Sequence, residues 1–253
     1  MLIDIPKLLN SKKDDYLFNL LNIDNFNKNT SSLRHFYKHL IRYDKKIKGN
    51  IFEFGCYKGR SLLAIALLLK KIKSKKIVYA FDSFKGFPGY SKYESFKFLK
   101  YNKDVFFKHN VSKKIRKFNL GLDIDKKNIS SSNNFSLNSK KDLIKKIKFL
   151  NLKNIIIVQG DFKKTVPRFM KSYDKSIFSV NLDSDLYDSY KVVLENIYSK
   201  IVKNGYLHLD EYYSIKFPGC KIAVDEFCKK KNIKVKRNKN YDWEFERYYI
   251  QKK

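Results

Sequence analysis

Carboxylates and glycines stand at the ends of short apolar runs in this sequence, and their types and spacing limit the chemistry on offer. Asp183, Asp185, Asp210 and Glu211 follow two such runs, Ile177–Leu182 and Tyr206–Leu209. Four carboxylates at two neighbouring strand ends repel one another at neutral pH unless a cation sits among them. A divalent metal with oxygen ligands is the simplest such cation. The plainer reading makes them loop and helix-capping carboxylates, and Asp188 is read that way, heading a helix over Tyr190–Ile201. Earlier, Glu53-Phe54-Gly55-Cys56-Tyr57-Lys58-Gly59-Arg60-Ser61 reads as strand, glycine-bearing turn and helix start. Gly55 permits a sharp turn and Gly59 permits backbone to approach a ligand, while the helix start offers unpaired N–H groups. The pattern is E-x-G-x-x-x-G rather than the G-x-G-x-x-G of dinucleotide binders, and a tight βα turn with no ligand would use the same residues. Asp82, followed by Ser83, ends a second run where an acid can accept hydrogen bonds from ribose hydroxyls, and Gly160-Asp161 ends a third. His208 is expected to be a buried, satisfied core histidine, and His35, His39 and His109 have no recognisable catalytic partner.

These residues need a scaffold that brings strand ends together. Strands are expected at Ile51–Phe54, Ile77–Phe81, Ile155–Val158, Ile177–Leu182 and Tyr206–Leu209. Several are continuous apolar runs, as parallel strands buried on both faces require. Helical stripes lie between them: Tyr190, Val193, Leu194, Ile197 and Ile201 form one, and Leu143, Ile144, Ile147 and Leu150 another, opened by Ser139 with Asp142 three residues on. Strand–helix alternation implies a parallel sheet covered by helices, whose ligands bind outside the C-terminal ends of the strands. Ile233–Lys236 and Glu244–Ile250 have no helix between them and fit a closing antiparallel pair. Residues up to about Lys48 read as a helical N-terminal extension, broken around Asn25–Asn29. Tyr90–Asn138, rich in Lys, Phe and Tyr and then in Ser and Asn, interrupts the alternation and reads as an insertion covering the active site. The 253 residues are otherwise expected to form one domain.

Composition narrows the classes. Hydrophobic residues at 43% and aromatics at 16% indicate a globular chain rather than a disordered one. No signal segment is recognised, and the longest apolar run, Leu62–Leu69, is too short to span a bilayer, so a cytoplasmic protein is expected. Cys56, Cys220 and Cys228 have neither metal-ligand spacing nor an even count for a disulfide framework. The formal charge of +30 is carried mainly by scattered lysines rather than a basic arm, and no RNA-binding aromatic signature accompanies it. The charge favours anionic ligands or surfaces at low salt, but no specific nucleic-acid partner is expected. A homodimer is compatible with the sequence, which names no interface.

Glu53-x-Gly55-x-Tyr57-x-Gly59, Asp82-Ser83-Phe84-Lys85-Gly86-Phe87-Pro88, Gly160-Asp161-Phe162-x-x-Thr165-Val166-Pro167, Asp183-x-Asp185-Leu186-Tyr187, Asp210-Glu211-Tyr212 and Pro218-Gly219-Cys220-x-x-Ala223-Val224-Asp225-Glu226-Phe227 occur in that order. In this series the chain resembles the macrocin O-methyltransferase (TylF-type) family over roughly residues 33–230. The resemblance implies a Rossmann-like class I methyltransferase fold with seven strands, the last antiparallel. It also implies S-adenosylmethionine and Mg2+ as cofactors, and a sugar hydroxyl as the methyl acceptor. Carried over, Glu53, Gly55 and Gly59 line the methionine end of the cofactor, with Cys56, Tyr57 and Ser61 in the same turn. Asp82, with Ser83, holds the ribose, and Asp161, after Gly160, sits near the adenine. Asp183, Asp210 and Glu211 hold the metal. The family usually has two aspartates where this chain has Asp210-Glu211, so the longer Glu211 is a departure. The expected chemistry is metal-lowered acidity of an acceptor hydroxyl, proton removal by Asp183 and in-line attack on the sulfonium methyl. A catechol-like phenol would chelate the metal as well as a sugar. RNA methylation and non-catalytic binding of nucleic acid or an anionic surface are the readings the charge would favour.

Overall fold

A computed structural model describes residues 13–28, 30–94, 135–212, 214, 217–238 and 247–253. Seven strands form one sheet: β1 (Asn50–Phe54), β2 (Val78–Asp82), β3 (Ile155–Gln159), β4 (Ile177–Leu182), β5 (Ile201–Leu209), β6 (Lys236–Arg237) and β7 (Tyr248–Gln251). Their order is β3-β2-β1-β4-β5-β7-β6. β1 to β5 pair in parallel, while β7 pairs antiparallel with both β5 and β6. The strand order reverses beside β1, which creates the switch-point crevice where open α/β sheets take their ligands. This is the Rossmann-like arrangement with its closing antiparallel pair.

Seven α-helices are described: α1 (Lys13–Leu20), α2 (Arg34–Tyr43), α3 (Arg60–Lys71), α4 (Lys140–Phe149), α5 (Phe162–Ser172), α6 (Tyr187–Ile197) and α7 (Pro218–Lys231). Alternation along β1 explains the two layers. Ile51 joins a core with Phe36, Leu40 and the apolar run of α3, whereas Phe52 and Phe54 point the other way, into a core with Val166, Tyr190, Leu194 and Val224. Residues 62–69 of α3 are all buried, so the longest apolar run of the chain is a core helix. Ser139 caps α4 by accepting the Asp142 N–H at 3.2 Å, as its spacing required. Among the described residues, no helix is long and apolar enough to cross a membrane.

Three expectations need correction. The stripe read as a helix to Ile201 ends at Ile197, and after the 3-10 turn Tyr198–Lys200, Ile201 opens β5. The hydrophobic period alone does not distinguish a last helical turn from the first inward residue of a buried strand. That helix also begins earlier, at Tyr187 after Leu186, so Asp188 lies in its first turn and pairs with Lys163 at 2.9 Å rather than capping. β3 is a sheet edge, not a strand buried on both faces, and Ile156 is exposed. Among its described residues the N-terminal extension has two helices, Lys13–Leu20 and Arg34–Tyr43; its first twelve residues and residue 29 lie outside the described set, as do residues 95–134 of the expected insertion.

Candidate active site

The C-terminal ends of β1, β2, β4 and β5 and the turn after β3 open into one cavity of about 400 Å³, a volume that suits a small-molecule site. Gly55, Cys56, Tyr57, Ser61, Asp82, Ser83, Asp161, Asp183 and Asp210 line it. Glu53, Gly59, Gly160 and Glu211 are not among its lining residues. Gly55 has φ +89°, and a Cβ there would lie 1.6 Å from the Asp183 carbonyl oxygen. Its requirement is close passage of the β1 and β4 ends. Gly59, at φ +83°, would set a Cβ 2.4 Å from Leu143 Cδ1, so the close approach expected of a ligand is made by α4 instead.

Asp82 organises the turn before any ligand arrives. Its Oδ2 accepts the Cys56 and Tyr57 N–H groups, both at 2.8 Å, and its Oδ1 accepts Phe84 N–H at 2.7 Å. The remaining contact, from Asn138 Nδ2 at 3.4 Å, is long. A carboxylate offers about four acceptor positions, so a ribose hydroxyl would most readily replace Asn138. Asp161 caps α5 through Lys163 N–H at 2.8 Å. Ser83 closes its own turn, donating to the Gly86 carbonyl at 2.8 Å.

A buried polar row crosses the sheet behind the cavity. Glu53, Asn181 and His208 are register neighbours on β1, β4 and β5. Glu53 Oε1 accepts Ser61 Oγ–H and, at 3.0 Å, Asn181 Nδ2–H, while its Oε2 has no partner. Burial pushes the Glu53 carboxyl up to about 7. His208 is buried as expected but not satisfied: Nδ1 has no partner, and Nε2 lies 3.5 Å from Asp210 Oδ1, beyond good hydrogen-bond geometry. Burial also lowers its basicity.

The carboxylates separate into two environments. Oxygens of Asp183, Asp185 and Glu211 all lie within 4.8 Å of one another. Burial, then repulsion from Asp210 and Asp185, pushes the Asp183 carboxyl well above its usual range. Burial, then Asp183 and Asp210, does the same to Glu211. Glu211 is held by Tyr190 Oη–H at 2.7 Å. Asp210 is different: burial opposes its ionisation, but Arg247, 3.2 Å from Oδ1, and His208 outweigh burial and hold it below its usual range.

Several wall residues were not singled out from the sequence. Arg247 comes from the start of the last strand, Asp24, Ser32 and Leu33 from the N-terminal segment, and Phe135 and Asn138 from the end of the expected insertion. Glu94, in the 3-10 turn Lys92–Glu94, accepts Tyr187 N–H at 2.7 Å and so caps the helix that follows Asp183 and Asp185. Arg247 and Glu94 carry no local signature, because their partners Asp210 and Tyr187 lie 37 and 93 positions away.

No curated protein sequence matches the chain significantly. Among solved structures, the O-methyltransferase NovP is 20% identical with a TM-score of 0.62, over 87% of this chain and 77% of NovP. CalS11, a calicheamicin methyltransferase, is 20% identical with a TM-score of 0.63, over 97% of this chain and 88% of CalS11. An O-methyltransferase from Bacillus cereus in complex with SAH is 9% identical with a TM-score of 0.53, over 98% and 93% of the two chains. At these identities the likeness is one of fold. The model of the macrocin-O-methyltransferase (TylF) family matches residues 29–245, a span that includes every strand end around the cavity. The chain therefore belongs to the TylF macrocin-O-methyltransferase family and is an S-adenosylmethionine-dependent O-methyltransferase.

Proposed function

We propose that this enzyme methylates a hydroxyl of a sugar or sugar-containing metabolite with the help of a divalent metal, and that residues 1–253 form one methyltransferase domain. The observation that carries the metal is the charge of the cavity. Six aspartates, Asp24, Asp82, Asp161, Asp183, Asp185 and Asp210, face three cations, Lys58, Arg60 and Arg247, in a chain whose formal charge is +30. Such a wall favours cations, and the sulfonium and ammonium of the cofactor are two of them. The donors near β4 and β5 are all hard carboxylate oxygens, which suits magnesium better than zinc.

We assign Asp183, Glu211 and Asp210 to hold magnesium, joined by Asp185, whose oxygen lies within 4.8 Å of those of Asp183 and Glu211. Bound there, magnesium would polarise one or two acceptor hydroxyls as a Lewis acid. S-adenosylmethionine supplies the electrophilic methyl. Asp183 is the general base that takes the hydroxyl proton onto its carboxylate. Asp82 and Asp161 orient the cofactor from neighbouring strand ends, so that transfer gains from positioning rather than from a covalent intermediate. Sugar rather than phenol is favoured by what CalS11 is described as, a TDP-rhamnose 3'-O-methyltransferase.

The test is SAH release from S-adenosylmethionine across sugar, nucleotide-sugar, catechol and RNA acceptors, each with and without a chelator. Turnover confined to the sugars and abolished by chelator is the expected result. Turnover on catechols alone or on RNA overturns the acceptor, and full activity in chelator overturns the metal.

A further inference from the structure

We propose that Arg60, steered by Asp24, receives the carboxylate of the cofactor's methionine end, which makes the N-terminal segment part of the cofactor site. The inference rests on the assignment of Asp82 to the ribose. With Asp82 and Asp161 toward the adenosine, the amino-acid tail extends the other way, toward the start of α3 and the N-terminal segment, both of which reach the cavity wall. That tail carries one carboxylate, and a carboxylate needs donors.

Ser61 has its hydroxyl directed onto Glu53. Arg60, the first residue of α3, lines the cavity with its side chain 66% exposed. One of its five N–H donors meets Asp24 Oδ1 at a long 3.3 Å. Asp24 is itself buried and fixed by other means: Tyr37 Oη–H at 2.8 Å and Ser31 Oγ–H both donate to Oδ2, and its N–H donates to the Arg60 carbonyl at 3.1 Å. A half-solvated pair at that distance adds little to stability. Its effect is to hold a flexible guanidinium over the cavity. A planar guanidinium is suited to bidentate capture of a carboxylate, and the helix start behind it favours negative charge.

The test is calorimetry with two ligands, SAH and 5'-S-(3-aminopropyl)-5'-thioadenosine, which is SAH without its carboxylate. Arg60→Ala is expected to raise the Kd for SAH by roughly tenfold or more, the effect of losing a charge-assisted hydrogen bond, and to change the Kd for the amine by less than about twofold. Arg60→Lys is expected to fall between, and Asp24→Asn to weaken SAH selectively while melting near the wild-type temperature. Equal losses on both ligands, no loss on either, or a selective loss that follows Lys58→Ala instead overturns the proposal. Wild-type protein that binds neither ligand overturns the cofactor placement itself, which is separable from a failure of Arg60 alone.

Discussion

Asp183, partly buried at the cavity wall, and Glu211, buried behind it, lie in one another's field, and both are pushed well above the usual range. Without a cation they hold protons that an unfolded chain would release near pH 4. A raised carboxylate stabilises the fold below its unfolded pKa, and that contribution is lost as pH rises through the folded value. Metal-free protein is therefore expected to lose stability as pH rises above the ordinary carboxylate range, and magnesium to restore it by taking the place of the protons. Magnesium binding should release the protons that the metal-free carboxylates hold, and affinity should climb with pH until the carboxylates are fully ionised. Calorimetry in two buffers of different ionisation enthalpy measures this release, and an identical heat in both contradicts it. Asp210 itself stays ionised beside Arg247, and its charge helps to raise the other two; Asp210→Asn should therefore lower the proton count by easing that repulsion, and by less than Asp183→Asn, which removes a titrating group.

The strands and turns determine which residues meet. Short apolar runs closed by Gly or Asp were enough to locate β1 to β5 and to put Asp82, Asp161, Asp183 and Asp210 at one end of the sheet, because parallel strands all finish at the same end. What the sequence did not disclose depends on contacts across the chain. The partners of Asp24 include Arg60, 36 positions on, and Glu94 caps a helix 93 positions away. Ile201 reads equally as helix or strand by period, and β3 is an edge because no strand among the described residues pairs on its far side. The row Glu53–Asn181–His208 also escaped sequence reading, since polar residues inside apolar runs look like exceptions until register aligns them. Asn181→Leu removes a donor from buried Glu53. It is expected to cost roughly 1–3 kcal/mol, read as a lowered denaturation midpoint at unchanged slope. An unchanged midpoint would mean that Ser61 alone satisfies that carboxylate.

At the scale of the molecule, a chain of formal charge +30 encloses a cavity whose wall carries more carboxylates than cations. The two fields act on different ligands. The outer one should give weak, sequence-independent nucleic-acid binding that disappears near physiological salt, and tight, selective RNA binding under those conditions would put RNA ahead of sugar among the acceptors. Under the proposal the inner one would hold the cofactor's cationic groups and magnesium. Asp183 is where these roles meet, as ligand and as base, while the contacts assigned to the cofactor lie at other strand ends. The most direct measurement is turnover against magnesium concentration for wild type and Asp183→Asn, with SAH affinity measured on the same samples. The expected result is a magnesium-dependent wild type and an Asp183→Asn variant slowed by at least about a hundredfold at every magnesium concentration, with SAH affinity within about threefold of wild type. Wild-type turnover that is unaffected by magnesium, or an Asp183→Asn variant with an unchanged rate, would contradict it.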